Sequence, residues 1–158
     1  MSAQSSDTVC VVGDHVVVVS VDDRDAPASF DVTVHIDGRH LRSFEEPGWR
    51  TLRWGVADRA FYWWSARRVV SIPISAPADL ELLETDEDLI FAFRRPNLWL
   101  LVCETSLRVV VAGVEVQRIE FPDVLVAASI DGHQVILQEA SGSASRIELT
   151  SNGLNLDV

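Results

Sequence analysis

Residues 30–40 read FDVTVHIDGRH, and this stretch decides the fold class. Phe30, Val32, Val34 and Ile36 alternate with Asp31, Thr33 and His35, the period of two that a strand with one buried face requires. Asp37-Gly38 then reads as a two-residue hairpin turn, because both central positions of such a turn favour residues that tolerate positive φ. That turn pairs Ile36 with Arg39 and His35 with His40. The two imidazoles therefore share the outward face with Asp31 and Thr33, their Cβ atoms about 5 Å apart.

The same grammar extends in both directions. Upstream, TVCVV and HVVVVSV flank Gly13-Asp14, and β-branched residues at this density favour strand over helix. The stretch DDRDAPAS (22–29) is a loop rich in turn formers. Downstream, hairpins pair 61–64 with 69–72, 89–93 with 98–103, 107–111 with 114–121, 124–128 with 134–138, and 146–149 with 154–158. The one candidate helix, PADLELLETDEDL (77–89), contains good helix formers, but Leu80, Leu82 and Glu84 alternate and favour a strand.

Laying residues 88 onward over residues 123 onward gives a faint repeat with an offset of 35. Asp88 falls on Asp123, Ala92 on Ala127, Glu104 on Glu139 and Ser106 on Ser141. Each unit holds four short strands, and 8–44 and 49–84 divide the same way. Four such meanders resemble the blades of a propeller. The expected fold is therefore all-β and antiparallel, with four four-stranded units, and a β-sandwich or barrel is the alternative. At 158 residues the chain suits a single domain over 1–158, burying roughly 70% of its unfolded surface, with 1–7 as a flexible N-terminus.

Composition narrows the function. No apolar run reaches the ~20 residues of a membrane span, and MSAQSSD lacks the basic and apolar regions of a secretory signal. A bacterial, cytoplasmic setting is expected, with Cys10 and Cys103 as buried free thiols inside apolar runs. The net charge of −11 disfavours nucleic acid and anionic membrane. Charge is also uneven: residues 39–76 carry seven arginines against three acids, whereas each of the other segments is net acidic.

That basic segment contains WRTLRWGVADRAFYWWSARR (49–68), which holds four of the five tryptophans. Burial between sheets, arginine stacking on indole faces, or an exposed contact patch would each accommodate it. The arginines read best as counter-charges to the flanking acids, with most rings in the core and an exposed minority in the mixed-face strand at 49–54.

Catalytic and cofactor signatures are missing from the sequence: no G-x-S-x-G, no glycine-rich phosphate cradle, no Cys-His setting. His35 and His40 are weak metal candidates without a third ligand at motif spacing, and His15 and His133 stand alone. Glu84, Asp86, Glu87 and Asp88 form an acidic cluster read as a solvated loop or a contact surface. The sequence thus predicts a non-enzymatic, cofactor-free protein-binding domain that recognises a basic partner protein, such as a cationic toxin or nuclease met by an inhibitor or immunity-type protein. Its contact residues would be Trp49, Arg53, Trp54, Glu84, Asp86, Glu87 and Asp88. The alternative is a small-ligand or carbohydrate-binding β-domain that stacks its ligand on Trp49, Trp54, Trp63 or Trp64.

Overall fold

The computed structural model describes residues 5–23, 29–47 and 53–155. Sixteen strands form four antiparallel sheets, each a meander of four consecutive strands. The first holds β1 (Ser5–Val12), β2 (His15–Asp23), β3 (Ser29–Ile36) and β4 (Arg39–Pro47). The second holds β5 (Arg53–Ala57), β6 (Ala60–Trp64), β7 (Arg68–Pro73) and β8 (Glu81–Glu84). The third runs β9 (Leu89–Arg95), β10 (Leu98–Cys103), β11 (Ser106–Val111) and β12 (Val114–Glu120). The fourth runs β13 (Leu125–Asp131), β14 (Gln134–Glu139), β15 (Ala144–Thr150) and β16 (Gly153–Asn155). The four-stranded units expected from the repeat are present, and the four separate sheets do not close into one barrel.

The decisive stretch folds as its pattern requires. β3 alternates buried and half-buried residues as far as Val34, and Ile36 lies opposite Arg39 while His35 lies opposite His40. The register shifts between Val34 and His35, because Val34 faces Arg42 and Leu41 is an extra residue on β4. One sequence expectation needs correction and another is refined. Residues 5–7 belong to β1 and pair with β2, so they are not part of a tail. Residues 77–89 supply strand β8 as expected, but Pro77–Asp79 first makes a single 3-10 turn because Pro77 presets φ at its start.

The chain divides into two compact units, Met1–Glu84 and Thr85–Val158. In the first, the inward faces of β2 and β3 (Val17, Val19, Val21, Phe30, Val32, Val34) pack with Phe61, Trp63, Val70 and Ile72 of the second sheet. In the second, Leu98, Leu100, Val102, Leu107 and Val109 pack with Leu125, Val135, Leu137 and Leu149. Side chains on a strand point alternately to its two faces, yet every residue of β6 and of β10 is buried. That explains the runs AFYWW and LWLLVC: a strand covered on both faces has no use for polar alternation.

Candidate functional site

The aromatic stretch sorts itself by strand position. β6 is an inner strand of its sheet, so Phe61, Tyr62, Trp63 and Trp64 are all buried. Trp63 and Trp64 therefore cannot serve as stacking platforms for a sugar. β5 is an edge strand, and Trp54 there lies directly opposite Trp63, its ring 5.7 Å from that of Phe61. One neighbour is missing on the edge side, so Trp54 stays 42% exposed and Val56, two residues on, 45%. Arg53 is exposed on the other face of the strand. Trp49 lies outside the described residues. Glu84 is on β8, at the opposite edge of the same sheet, so the sheet does not gather it with Arg53 and Trp54.

Asp86, Glu87 and Asp88 open the second unit, and Glu87 is not a solvated carboxylate. Its Oε2 accepts from the Thr105 backbone nitrogen at 2.9 Å and from Thr105 Oγ1 at 2.8 Å. Its Oε1 accepts from Ser106 Oγ at 3.0 Å, from Arg118 Nη2 at 2.9 Å and from Arg108 Nη2. Burial opposes ionisation, but the bonds from Thr105, Arg108 and Ser106 outweigh it and hold the Glu87 carboxyl down at about 2. Asp86 is exposed and takes Arg108 Nη1 at 2.7 Å, which lowers its pKa as well. The cluster expected to greet a partner is thus in large part the counter-charge of Arg108, a residue only 5% exposed.

The same device recurs along the chain. Glu46, fully buried at the end of β4, accepts from Trp63 Nε1 at 3.3 Å, Ser65 Oγ at 2.9 Å and Arg68 Nη2 at 2.9 Å. Asp123 accepts from the backbone nitrogens of Val124 at 2.8 Å and Ser141 at 2.9 Å, which lower its pKa. In each case a carboxylate ahead of a sheet clasps that sheet's middle hairpin, 18 or 19 residues further on. The Arg68 pair realises the internal counter-charge read from the sequence.

His35 and His40 meet edge to face at 5.5 Å, and His40 Nε2 lies 3.2 Å from Ser43 Oγ. Among the described residues no three His, Cys, Asp or Glu side chains are grouped to hold a metal. His15, which the sequence left isolated, has a partner: its Nδ1 is 2.7 Å from Asp37 Oδ2, while Asp37 Oδ1 accepts from Val16 N at 2.9 Å. Those hydrogen bonds, with smaller contributions from the charges of His15 and Arg39, hold Asp37 below the usual carboxylate range. The pair borders a cleft of about 550 Å³ that Ile36, Arg39, His40, Leu41, Ile74 and Pro77 also line. Nothing in the sequence joins residues 15 and 37, because their proximity comes from the β2–β3 pairing. Asp37 N also bonds Val16 O across that seam.

Four successive four-stranded antiparallel meanders are the architecture of a β-propeller-like chain. Solved structures with this arrangement agree. The chain is similar to the computationally designed Ika4 protein (TM-score 0.60, 14% identity, 94% of each chain covered). It is similar to BBS1N, solved in complex with ARL6DN (TM-score 0.59, 10% identity), over 95% of this chain and 52% of that one. It is similar to the Pan2 WD40 domain of Neurospora crassa (TM-score 0.55, 12% identity), over 87% of this chain and 45% of that one. The chain thus spans about half the length of these two natural relatives in fold. No protein-family model and no curated protein sequence matches it.

Proposed function

We propose that this chain is a protein-interaction module whose contact surface is the β5 edge, with Trp54 as anchor and Arg53 and Val56 beside it. The carrying observation is the 42% exposure of Trp54 on an edge strand, in a chain whose Trp63, Trp64 and Trp99 are buried. Aromatic and arginine side chains dominate the energetics of protein contacts, so an exposed indole next to an arginine is the composition expected of such an anchor. An edge strand also offers unpaired backbone groups to a partner strand. The propeller-like fold supports the reading, since BBS1N of similar fold was solved with a protein partner.

The partner we favour is basic. A net charge of −11 speeds the encounter with a cationic protein. An inhibitor or immunity-type protein neutralising a cationic toxin or nuclease is one form of this function, supported by the charge alone.

The test is capture from a lysate of the source cell on wild type, Trp54→Ala and Arg53→Ala. The reading expects a stoichiometric basic protein on wild type, at least tenfold depleted on Trp54→Ala with an unchanged circular dichroism spectrum. Its association rate should fall as salt rises. Undiminished capture by Trp54→Ala removes the β5 edge from consideration.

A further inference from the structure

β6 and β10, inner strands of the second and third sheets, are buried along their whole length. The first and fourth sheets differ. β2 alternates buried Val17, Val19 and Val21 with Val16, Val18 and Ser20, which are exposed or half-buried, and β14 buries only Val135 and Leu137. Each of these two sheets therefore keeps one face at the surface.

On that face of the first sheet, Val9 lies opposite Val18 and Val11 opposite Val16. Val9, Val11 and Val16 are 61%, 67% and 41% exposed. His35 and His40 continue the row from Val18, and Thr33 and Ser43 lie beside them with their hydroxyl oxygens 3.2 Å apart. Asp7, Asp22, Asp31 and Glu45 share the face, and no arginine does. On the fourth sheet the outer face holds Ala127, Ser129, Ile136, Gln138, Ala144 and Arg146. Small side chains there let another sheet approach, and Arg146 is the one arginine of that sheet. Asp131 and Glu148 stand at one end of the face, and Glu148 accepts from Asn155 Nδ2 at 3.0 Å.

A sheet face of this kind needs a cover of matching extent. The chain spans about half of BBS1N and of the Pan2 WD40 domain, so two copies hold about as much chain as one of those relatives in fold. Four strands about 4.8 Å apart and about seven residues long present a face of roughly 400 Å². Two equal contacts cover four such faces, roughly 1,600 Å² in all, which is the size of a stable specific interface. Charge decides which faces meet. The first sheet against its own copy would set carboxylates against carboxylates, whereas the fourth sheet brings Arg146 to them.

We propose that this chain pairs with a second copy of itself, the outer face of the first sheet in each copy packing on the outer face of the fourth sheet in the other. Val9, Val11 and Val16 are then covered, and Arg146 stands beside the carboxylates. Made twice about a two-fold axis, the contact uses every open face and closes as a dimer. The inference is independent of the β5 edge.

The test is sedimentation velocity on the full chain from about 1 to about 100 μM, which should show twice the monomer mass, with monomer only at the dilute end. Val11→Glu and Ala144→Glu change exposed side chains, and each should be monomeric with the circular dichroism spectrum of wild type. Mixing these two variants should restore a dimer, because one keeps its first-sheet face and the other its fourth-sheet face. Arg146→Glu should weaken association at least tenfold, and Trp54→Ala should leave it unchanged. A dimer lost in Val11→Glu but kept in Ala144→Glu would place the contact between the two first sheets and overturn the proposed pairing. A mixture that stays monomeric would do the same. Wild type that is monomeric throughout, species larger than a dimer, or a dimer lost in Trp54→Ala overturns the proposal.

Discussion

Replacing Glu87 with glutamine tests whether the acidic cluster is structural. The carboxylate accepts five hydrogen bonds, two of them from the guanidinium groups of Arg108 and Arg118. Glutamine keeps the shape, but it removes the charge and turns one acceptor into a donor facing other donors. A carboxyl moved from 4.5 to about 2 corresponds to roughly 3 kcal/mol of stability by linkage, which its partial exposure trims to about 2 kcal/mol. For a domain of this size that is about 4–8 °C in Tm.

The sign follows from the direction of the shift. The folded pKa lies below the unfolded one, so the contribution is complete above about pH 4.5 and is lost as pH falls toward about 2. At pH 3 about two fifths of it remains. Wild type and Glu87→Gln should therefore differ by about 2 kcal/mol in urea unfolding at pH 7, and by less than half of that at pH 3. The Thr105 amide proton, bonded to Oε2, reports the titration directly by NMR and should move with a midpoint near 2. Equal stability of the two proteins at pH 7, or a Thr105 midpoint near 4.5, would refute the reasoning.

Further predictions rest on single contacts. Gly55 lies opposite Tyr62, and an added Cβ would come within 2.5 Å of the Tyr62 hydroxyl oxygen. Tyr62 is buried, so Gly55→Ala should cost about 1–3 kcal/mol in denaturant unfolding, and a neutral result would show that the ring has room to move. Burial pushes the Cys103 thiol up to about 11 and raises Cys10 as well. Since the thiolate is the reactive form, an aromatic disulfide reagent at pH 8 should modify Cys10 first and reach Cys103 only after unfolding. Two equally fast thiols would contradict that burial. Glu46→Ala leaves Arg68 and Trp63 without their buried acceptor and should cost about 3–5 kcal/mol, whereas Asp123→Asn at its more open site should cost less than 1 kcal/mol. Urea midpoints rank the two, and a reversed order would mean that burial does not set the strength of these clasps.

The alternation of residues 30–36 and the turn at Asp37-Gly38 were enough to set the buried face of β3 and its first two pairs with β4, but not the extra residue Leu41 that shifts the register beyond them. The repeat was legible as well: an offset of 35 lays β9 on β13 and β10 on β14. It blurs afterwards because the loop before β15 is longer, so β11 and β15 are three residues out of phase. The mixed faces of 49–54 pointed to Trp54 as an exposed ring, but the reason for its exposure was not legible. Trp54 sits in LRWGV and Trp63 in FYWWS, and what separates their burial is that β5 ends its sheet while β6 lies inside it. The cleft was hidden for a further reason. Its residues come from the start of β2, the β3–β4 hairpin and the segment after β7, which only the folded chain brings together.

The acidity of the chain acquires a different meaning once the clasps are placed. Read along the sequence, Glu87 belongs to an acidic cluster that suggests a surface for a basic partner, whereas Glu46 lies in the arginine-rich segment and Asp123 stands out in no way. In the fold each precedes a sheet and holds that sheet's middle hairpin, and their surroundings grade from fully buried Glu46, through Glu87, to Asp123 with backbone donors and no arginine. An ion buried with its counter-ion costs desolvation and returns geometry, so such groups fix which hairpin follows which carboxylate. A meander of near-identical hairpins needs that information, because β-branched strands alone would tolerate alternative pairings. The residual charge, with Glu46, Glu87 and their arginines removed from the surface tally, is what remains to attract a partner. Any test of partner recognition should accordingly vary Arg53, Trp54 and Glu84 rather than the clasps, whose loss would change the fold and its contacts together.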